Sequence, residues 1–105
     1  MIVLKDLKDI NCQNYILKLG ANWCNPCKLT DTILQKDSIV KLTEEKNITI
    51  YKVDVDDDNF ENLLDIYEVS SIPVLLYFKD NEFKLKTVNL QMEKQILDNI
   101  ERIYK

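Results

Sequence analysis

The chain has 105 residues, of which 46% are hydrophobic and 30% charged, the size and composition of one ordinary globular domain spanning 1–105 with no room for a second core. With 18 acidic against 14 basic residues the formal charge is −4, which argues against the clustered basic face that nucleic acid or an anionic membrane requires, so the expected partners are proteins or small solutes. Charges interrupt the apolar residues of the first nine positions before a signal-peptide core forms, and no later run approaches membrane-spanning length, so the chain reads as soluble and unprocessed; three cysteines, two of them in one CxxC, suit a reducing, cytoplasmic setting better than a secreted disulfide framework.

Strand-like and helix-like periods alternate along the whole length, the pattern of an α/β domain. Residues 2–4 predict a short first strand and residues 5–12 a short helix. Residues 15–19 have strand composition and run directly into Trp23-Cys24-Asn25-Pro26-Cys27, which places the two cysteines at a strand-to-helix junction. Leu29, Ile33, Leu34, Ile39, Val40 and Leu42 fit a helical stripe, with a break near Asp37-Ser38 that caps a second segment. Pro26 then lies in the first helical turn, where proline is tolerated.

Residues 48–55 alternate apolar and polar side chains and read as a strand. The acid run Asp56-Asp57-Asp58-Asn59 is read as the solvated start of a helix carrying Phe60, Leu63, Leu64 and Tyr67 rather than a calcium loop, because the glycine and terminal glutamate of such a loop are missing. Ser70-Ser71-Ile72-Pro73 breaks the chain before residues 74–78, and Asp80-Asn81 turns it back into 83–88 as a hairpin. Met92, Ile96, Ile100 and Ile103 form the buried stripe of a last helix. The expected order is β-α-β-α-β-α-β-β-α. Phe60, Tyr67 and Phe78 are read as core aromatics rather than a ligand cage.

Two cysteines separated by two residues at a helix start bring their sulfurs within bonding distance, beside free N–H groups and the positive end of the helix dipole. Cys24 is the better placed to feel those donors and is expected to attack a substrate disulfide, with Cys27, one turn further in, resolving the mixed disulfide. Metal binding is the competing use of such a pair. The chain has no histidine and one further cysteine, Cys12, so a four-ligand site of nitrogen and sulfur cannot be completed within one copy. A cluster or zinc ion bridging two copies stays open as the weaker reading. Cys12 itself is read as a small hydrophobe or half-exposed thiol, with a regulatory disulfide through it as the alternative.

The run WCNPCK, the strand before it, Ile72-Pro73 about fifty residues later and the element order resemble the thioredoxin family over essentially the whole chain. The resemblance implies a thioredoxin fold, a central mixed sheet flanked by helices, and a cis Ile72-Pro73 bond lying across from the cysteines. It implies that Trp23 covers the site and that the loop of Ile72, Pro73 and Asn89 pairs with an extended substrate segment. The activity implied is protein-disulfide reduction by a monomer that binds no cofactor and is recharged by a reductase using NADPH. A thioredoxin-like oxidant or isomerase, and an interaction module with incidental redox activity, are the alternatives.

The sequence departs from the family in places. Lys18 stands where the family has a buried acid, Gly20 where it has a tryptophan, Thr32 where it has a helix-kinking proline, and Asn25, Asn81 and Asn89 where it has glycines. Lys18 and Lys52, on neighbouring strands, are expected to support the active site in one of two ways. Their charge stabilises the Cys24 thiolate, or burial neutralises Lys18 so that it accepts the Cys27 proton. The third possibility is that Lys18 snorkels to solvent and does neither.

Overall fold

The stretch Tyr15–Gly20 is almost wholly buried, as a strand covered on both faces must be. In the computed structural model, which describes residues 1–105, it is β2 of a mixed sheet. The other strands are β1 (Ile2–Val3), β3 (Thr49–Asp54), β4 (Val74–Lys79) and β5 (Glu82–Val88), and the sheet order is β1-β3-β2-β4-β5. β3 runs parallel to β1 and β2, whereas β4 is antiparallel to β2 and to β5. Four helices cover the sheet: α1 (Asn25–Leu34), α2 (Asp37–Glu45), α3 (Glu61–Ile66) and α4 (Glu93–Ile103). The expected mixed α/β fold is observed, and the element order holds except between β1 and β2, where no α-helix forms.

Because side chains alternate across a strand, β2 feeds two separate cores. Ile16 joins Ile50, Leu75 and Tyr77 under Ile33, Ile39, Ile96 and Ile100 of α1, α2 and α4. Leu17 and Leu19 join Val53, Leu76 and Phe78 under Phe60 and Leu63 on the α3 side. Phe60, Tyr67 and Phe78 belong to that second core, Phe78 stacking on Tyr15 with ring centres 4.6 Å apart. Lys18 has the same parity as Ile16, so its side chain is sent to the α1 face.

Several local expectations are corrected. The helix expected over 5–12 is a single 3-10 turn, Leu7–Asp9, capped by the Asp6 carboxylate accepting from the Lys8 N–H. The helical stripe is interrupted two residues earlier than Asp37-Ser38: Lys36 is the cap residue, Asp37 opens α2, and the Ser38 hydroxyl donates to Glu93 on α4 at 2.7 Å. Leu29 is exposed because it lies off the face of α1 that buries Cys27, Thr30, Ile33 and Leu34, and Val40, beyond the break that resets the helical phase, is exposed as well. Met92 is exposed as well, because it caps α4 instead of sharing its buried face; its N–H is held by the Gln95 side chain. At the hairpin, Asp80 and Asn81 both take positive φ, 54° and 65°, the left-handed turn that fits the twist of the flanking strands.

Candidate functional site

The parallel strand β2 ends at Gly20, and the chain turns through Ala21-Asn22-Trp23 into α1. Cys24 is the N-cap of that helix, in extended conformation, and its sulfur accepts the Cys27 N–H at 3.2 Å. Pro26 sits in the first turn, where its missing N–H costs nothing. Cys24 and Cys27 are joined in a disulfide with Cα atoms 5.2 Å apart. Both are buried, Cys27 completely, so the pair reaches solvent only at Cys24. A helix N-terminus carries unpaired N–H groups and roughly half a positive charge, so a sulfur placed there is favoured as thiolate.

Across from the pair the Ile72-Pro73 peptide bond is cis, and Ile72 packs against Ala21, Cys24 and Cys27. The Pro73 carbonyl accepts the Asn89 N–H at 2.8 Å, and Asn89 takes the left-handed φ of 71°. Trp23 is 69% exposed, its indole N–H donating to the Asp56 carboxylate at 2.8 Å. Trp23, Cys24, Val55, Leu64, Val69 and Ile72 line an open apolar cleft of about 410 Å³. Trp23, Cys24, Cys27 and Ile72 thus meet at one cleft, with Pro26 in the helix turn between the cysteines, Pro73 next to Ile72 and Asn89 hydrogen-bonded to Pro73.

The lysines behave differently from the simplest expectation. Lys18 does not snorkel: its side chain is 1% exposed, and its ammonium stands 2.7 Å from Asp31 Oδ1. Lys52, directly opposite Lys18 in the β2–β3 ladder, reaches Oδ2 of the same carboxylate at 2.9 Å. Oδ1 finds no donor with hydrogen-bond geometry, so its contact with Lys18 is chiefly Coulombic. The family's acid is absent from position 18, but an acid is present on the neighbouring helix. Asp31 carried no signal in the strand pattern; its spacing of four from Cys27, which puts both on one side of α1, was the available clue. Asp56 belongs to the acid run expected to be a solvated helix start, and its carboxylate holds the Trp23 indole.

Gly20 completes the arrangement. A Cβ built there lies 2.8 Å from Lys18 Nζ and 3.1 Å from Cys27 Sγ, so a side chain at 20 would displace one of them. Its φ is not positive, so this glycine, the only one in the chain, is needed for space rather than for backbone conformation.

Cys12 is a free, half-buried thiol 3.7 Å from the Tyr51 hydroxyl. Burial first, then that contact, holds the Tyr51 hydroxyl above its ordinary pKa. Cys12 precedes β2 while the pair follows it, and six strand residues span about 20 Å. That is beyond the ~7 Å Cα separation a disulfide can bridge, so an intramolecular link from Cys12 to the pair is excluded.

The description "Thioredoxin" belongs to the family model that matches residues 5–102. Among curated proteins, the thioredoxin of Rickettsia typhi is 30% identical over 108 aligned positions, covering 95% of this chain and 98% of that one. The thioredoxin of Chlamydia pneumoniae is 35% identical over 80 positions, 76% of this chain and 72% of the relative. Among solved structures, oxidised thioredoxin O2 from Arabidopsis thaliana superposes with a TM-score of 0.77 at 26% identity, covering 99% of this chain and 94% of that one.

Proposed function

We propose that this chain, which belongs to the thioredoxin family and is a thiol–disulfide oxidoreductase, serves as a reductant of protein disulfides. The observation that carries the reading is the placement of the Cys24 sulfur at a helix N-terminus, on the floor of an apolar cleft walled by Trp23 and Ile72. An open cleft with an exposed tryptophan suits an extended polypeptide segment better than an enclosed small molecule. Cys24 thiolate attacks the substrate disulfide, one substrate sulfur leaves, and Cys27 then attacks Cys24 and releases the second. Trp23, Ile72, Pro73 and Asn89 hold the substrate segment, and Pro26, Lys18 and Lys52 support the pair. Electrons that reopen the Cys24–Cys27 disulfide come from a reductase drawing on NADPH, with no cofactor held by this chain, which acts in the cytoplasm as a monomer.

One observation favours a second reading. A buried ammonium beside the pair stabilises thiolates, and stabilising the reduced form makes the disulfide a stronger oxidant. Following Trp23 fluorescence through defined dithiothreitol and glutathione buffers decides between the two. A two-electron transition near about −270 mV supports the reductant, and one between about −180 and −120 mV overturns it in favour of an oxidant or isomerase. A partner that binds Cys24→Ser as tightly as wild type, with no turnover lost, would instead make the chain an interaction module.

A further inference from the structure

The cavities, the exposed apolar residues and Cys12 all lead back to the cleft already described or to surfaces with nothing to say what covers them; the Lys18–Asp31–Lys52 cluster does not. Three ionisable groups gather beside the less accessible of the two sulfurs, and the assignment of attack and resolution to Cys24 and Cys27 does not by itself use them. We infer that Lys18, held in place by Asp31 and given room by Gly20, is a positioning residue for the resolving step, its ammonium favouring the Cys27 thiolate that must form inside the protein. The inference rests on the proposed roles of Cys24 and Cys27.

The geometry is specific to Cys27. Lys18 Nζ and Cys27 Sγ lie 2.8 Å and 3.1 Å from the same vacant point over Gly20. They are therefore within about 6 Å of one another, the range over which an opposite charge favours an ionised group. Cys27 is fully buried, so its thiolate obtains little help from water, and unlike Cys24 it does not occupy the helix cap. Lys18 arrives from β2, Asp31 from the next turn of the helix that carries Cys27, and Lys52 from β3 on the far side of the Asp31 carboxylate. The loop before β4 presents the apolar Ile72. Asp31 anchors the Lys18 ammonium at 2.7 Å, and Lys52 shares the neutralisation of that carboxylate, so the cluster keeps a surplus of one positive charge.

In the step itself, Cys24 has displaced one thiolate from the disulfide and is joined to the remaining sulfur. The Cys27 thiol gives its proton to solvent, its thiolate attacks Cys24 Sγ, the Cys24–Cys27 bond forms and the bond to the second sulfur breaks. The protein is oxidised by two electrons and the disulfide is reduced to two thiolates. Lys18 acts only while Cys27 is ionised and neither bonds to nor exchanges a proton with the sulfur.

The aromatic disulfide 5,5′-dithiobis(2-nitrobenzoate) separates the two steps, since each releases one coloured thiolate. With the free thiol of Cys12 removed by Cys12→Ser in every protein compared, wild type included, the reduced chain mixed with it in a stopped-flow instrument should show two phases of equal amplitude, and Cys27→Ser only the first. Two equal phases from Cys27→Ser would mean that the cysteine roles themselves are misassigned, whatever Lys18 does. In Lys18→Met the first phase is expected within about twofold of wild type and the second slowed about tenfold at pH 7, with the loss recovered as pH rises and solvent supplies the thiolate. Gly20→Ala, which pushes the ammonium aside while keeping its charge, should slow the second phase several-fold and spare the first. A second phase in Lys18→Met within twofold of wild type, equal slowing of both phases, or a loss that does not recover at high pH overturns the inference.

Discussion

Asp31→Asn is expected to destabilise the protein far more than Lys18→Met, although the two substitutions break the same ion pair. In Asp31→Asn the Lys18 ammonium, 1% exposed and embedded between β2 and α1, loses the only carboxylate within ion-pair distance. Removing one partner of a buried pair typically costs 3–5 kcal/mol because the other charge is left uncompensated. Asp31 is itself 15% exposed and a neutral amide keeps one acceptor oxygen near the ammonium, so the loss should fall at the lower end, about 3 kcal/mol. In Lys18→Met the carboxylate retains Lys52 at 2.9 Å and access to water, and an unbranched apolar side chain fills the channel the lysine stem occupied. Its cost should stay within about 1 kcal/mol of zero in either direction. Urea unfolding of the reduced proteins, followed by far-ultraviolet circular dichroism, should then lower the midpoint by about 2 M for Asp31→Asn at unchanged slope, and by less than about 1 M for Lys18→Met. The reasoning is refuted if Asp31→Asn costs less than Lys18→Met, or if both midpoints coincide with wild type.

The interior tyrosines predict a loss of stability in alkali. Burial pushes the Tyr77 hydroxyl up to about 12, against opposing help from Asn99 and Arg102, so between about pH 10 and 12 the unfolded chain ionises while the folded one does not. Stability present below pH 10 should fall by about 3 kcal/mol across that window from Tyr77 alone, and urea midpoints of Tyr77→Phe should decline less steeply. At neutral pH Tyr77→Phe should be neutral or stabilising, since the buried hydroxyl has no partner of good geometry. Tyr104→Phe should cost about 1–2 kcal/mol by thermal unfolding, because its hydroxyl closes α4 onto the sheet through the Phe78 carbonyl at 2.9 Å and the Tyr15 carbonyl at 3.1 Å. Asp56→Asn should change stability by less than about 1 kcal/mol, the Trp23 contact being exposed, yet alter Trp23 emission and raise KM for a protein disulfide with little change in kcat.

What could be read before folding was whatever is local or carried by a rare residue type. The cysteine pair, Pro26 and Ile72-Pro73 each have few structural uses, and the run of strand composition at 15–19 and the alternating run at 48–55 become β2 and β3 with boundaries displaced by one residue. The helical stripes fared worse at their ends. Leu29 has the apolar spacing but lies off the buried face of α1, Val40 follows the Gln35–Lys36 break that resets the phase, and Met92 lies one residue before the turn that would have buried it. Lys18 is anomalous in the sequence itself, but its counterion is not, because an acid on a following helix looks like any solvent-facing residue until α1 folds over β2. Two lysines facing each other on adjacent strands demanded a nearby carboxylate; which one is a question of tertiary packing.

The vacancy over Gly20 also has an evolutionary reading. Positions 18 and 20 are two apart on one strand and share a face, so a long cation at 18 and any side chain at 20 compete for one volume. Once Lys18 and Asp31 are in place, the chain is confined at 20 to glycine or, with the ammonium pushed aside, alanine, and a lineage acquiring a bulky residue there must give up the lysine first. Substitutions at 18, 20 and 31 therefore do not drift independently. A library randomising all three together should return folded members in two sets, one with a cation at 18 and glycine or alanine at 20, the other with a larger residue at 20 and no cation at 18, and few members that combine the cation with a bulky residue.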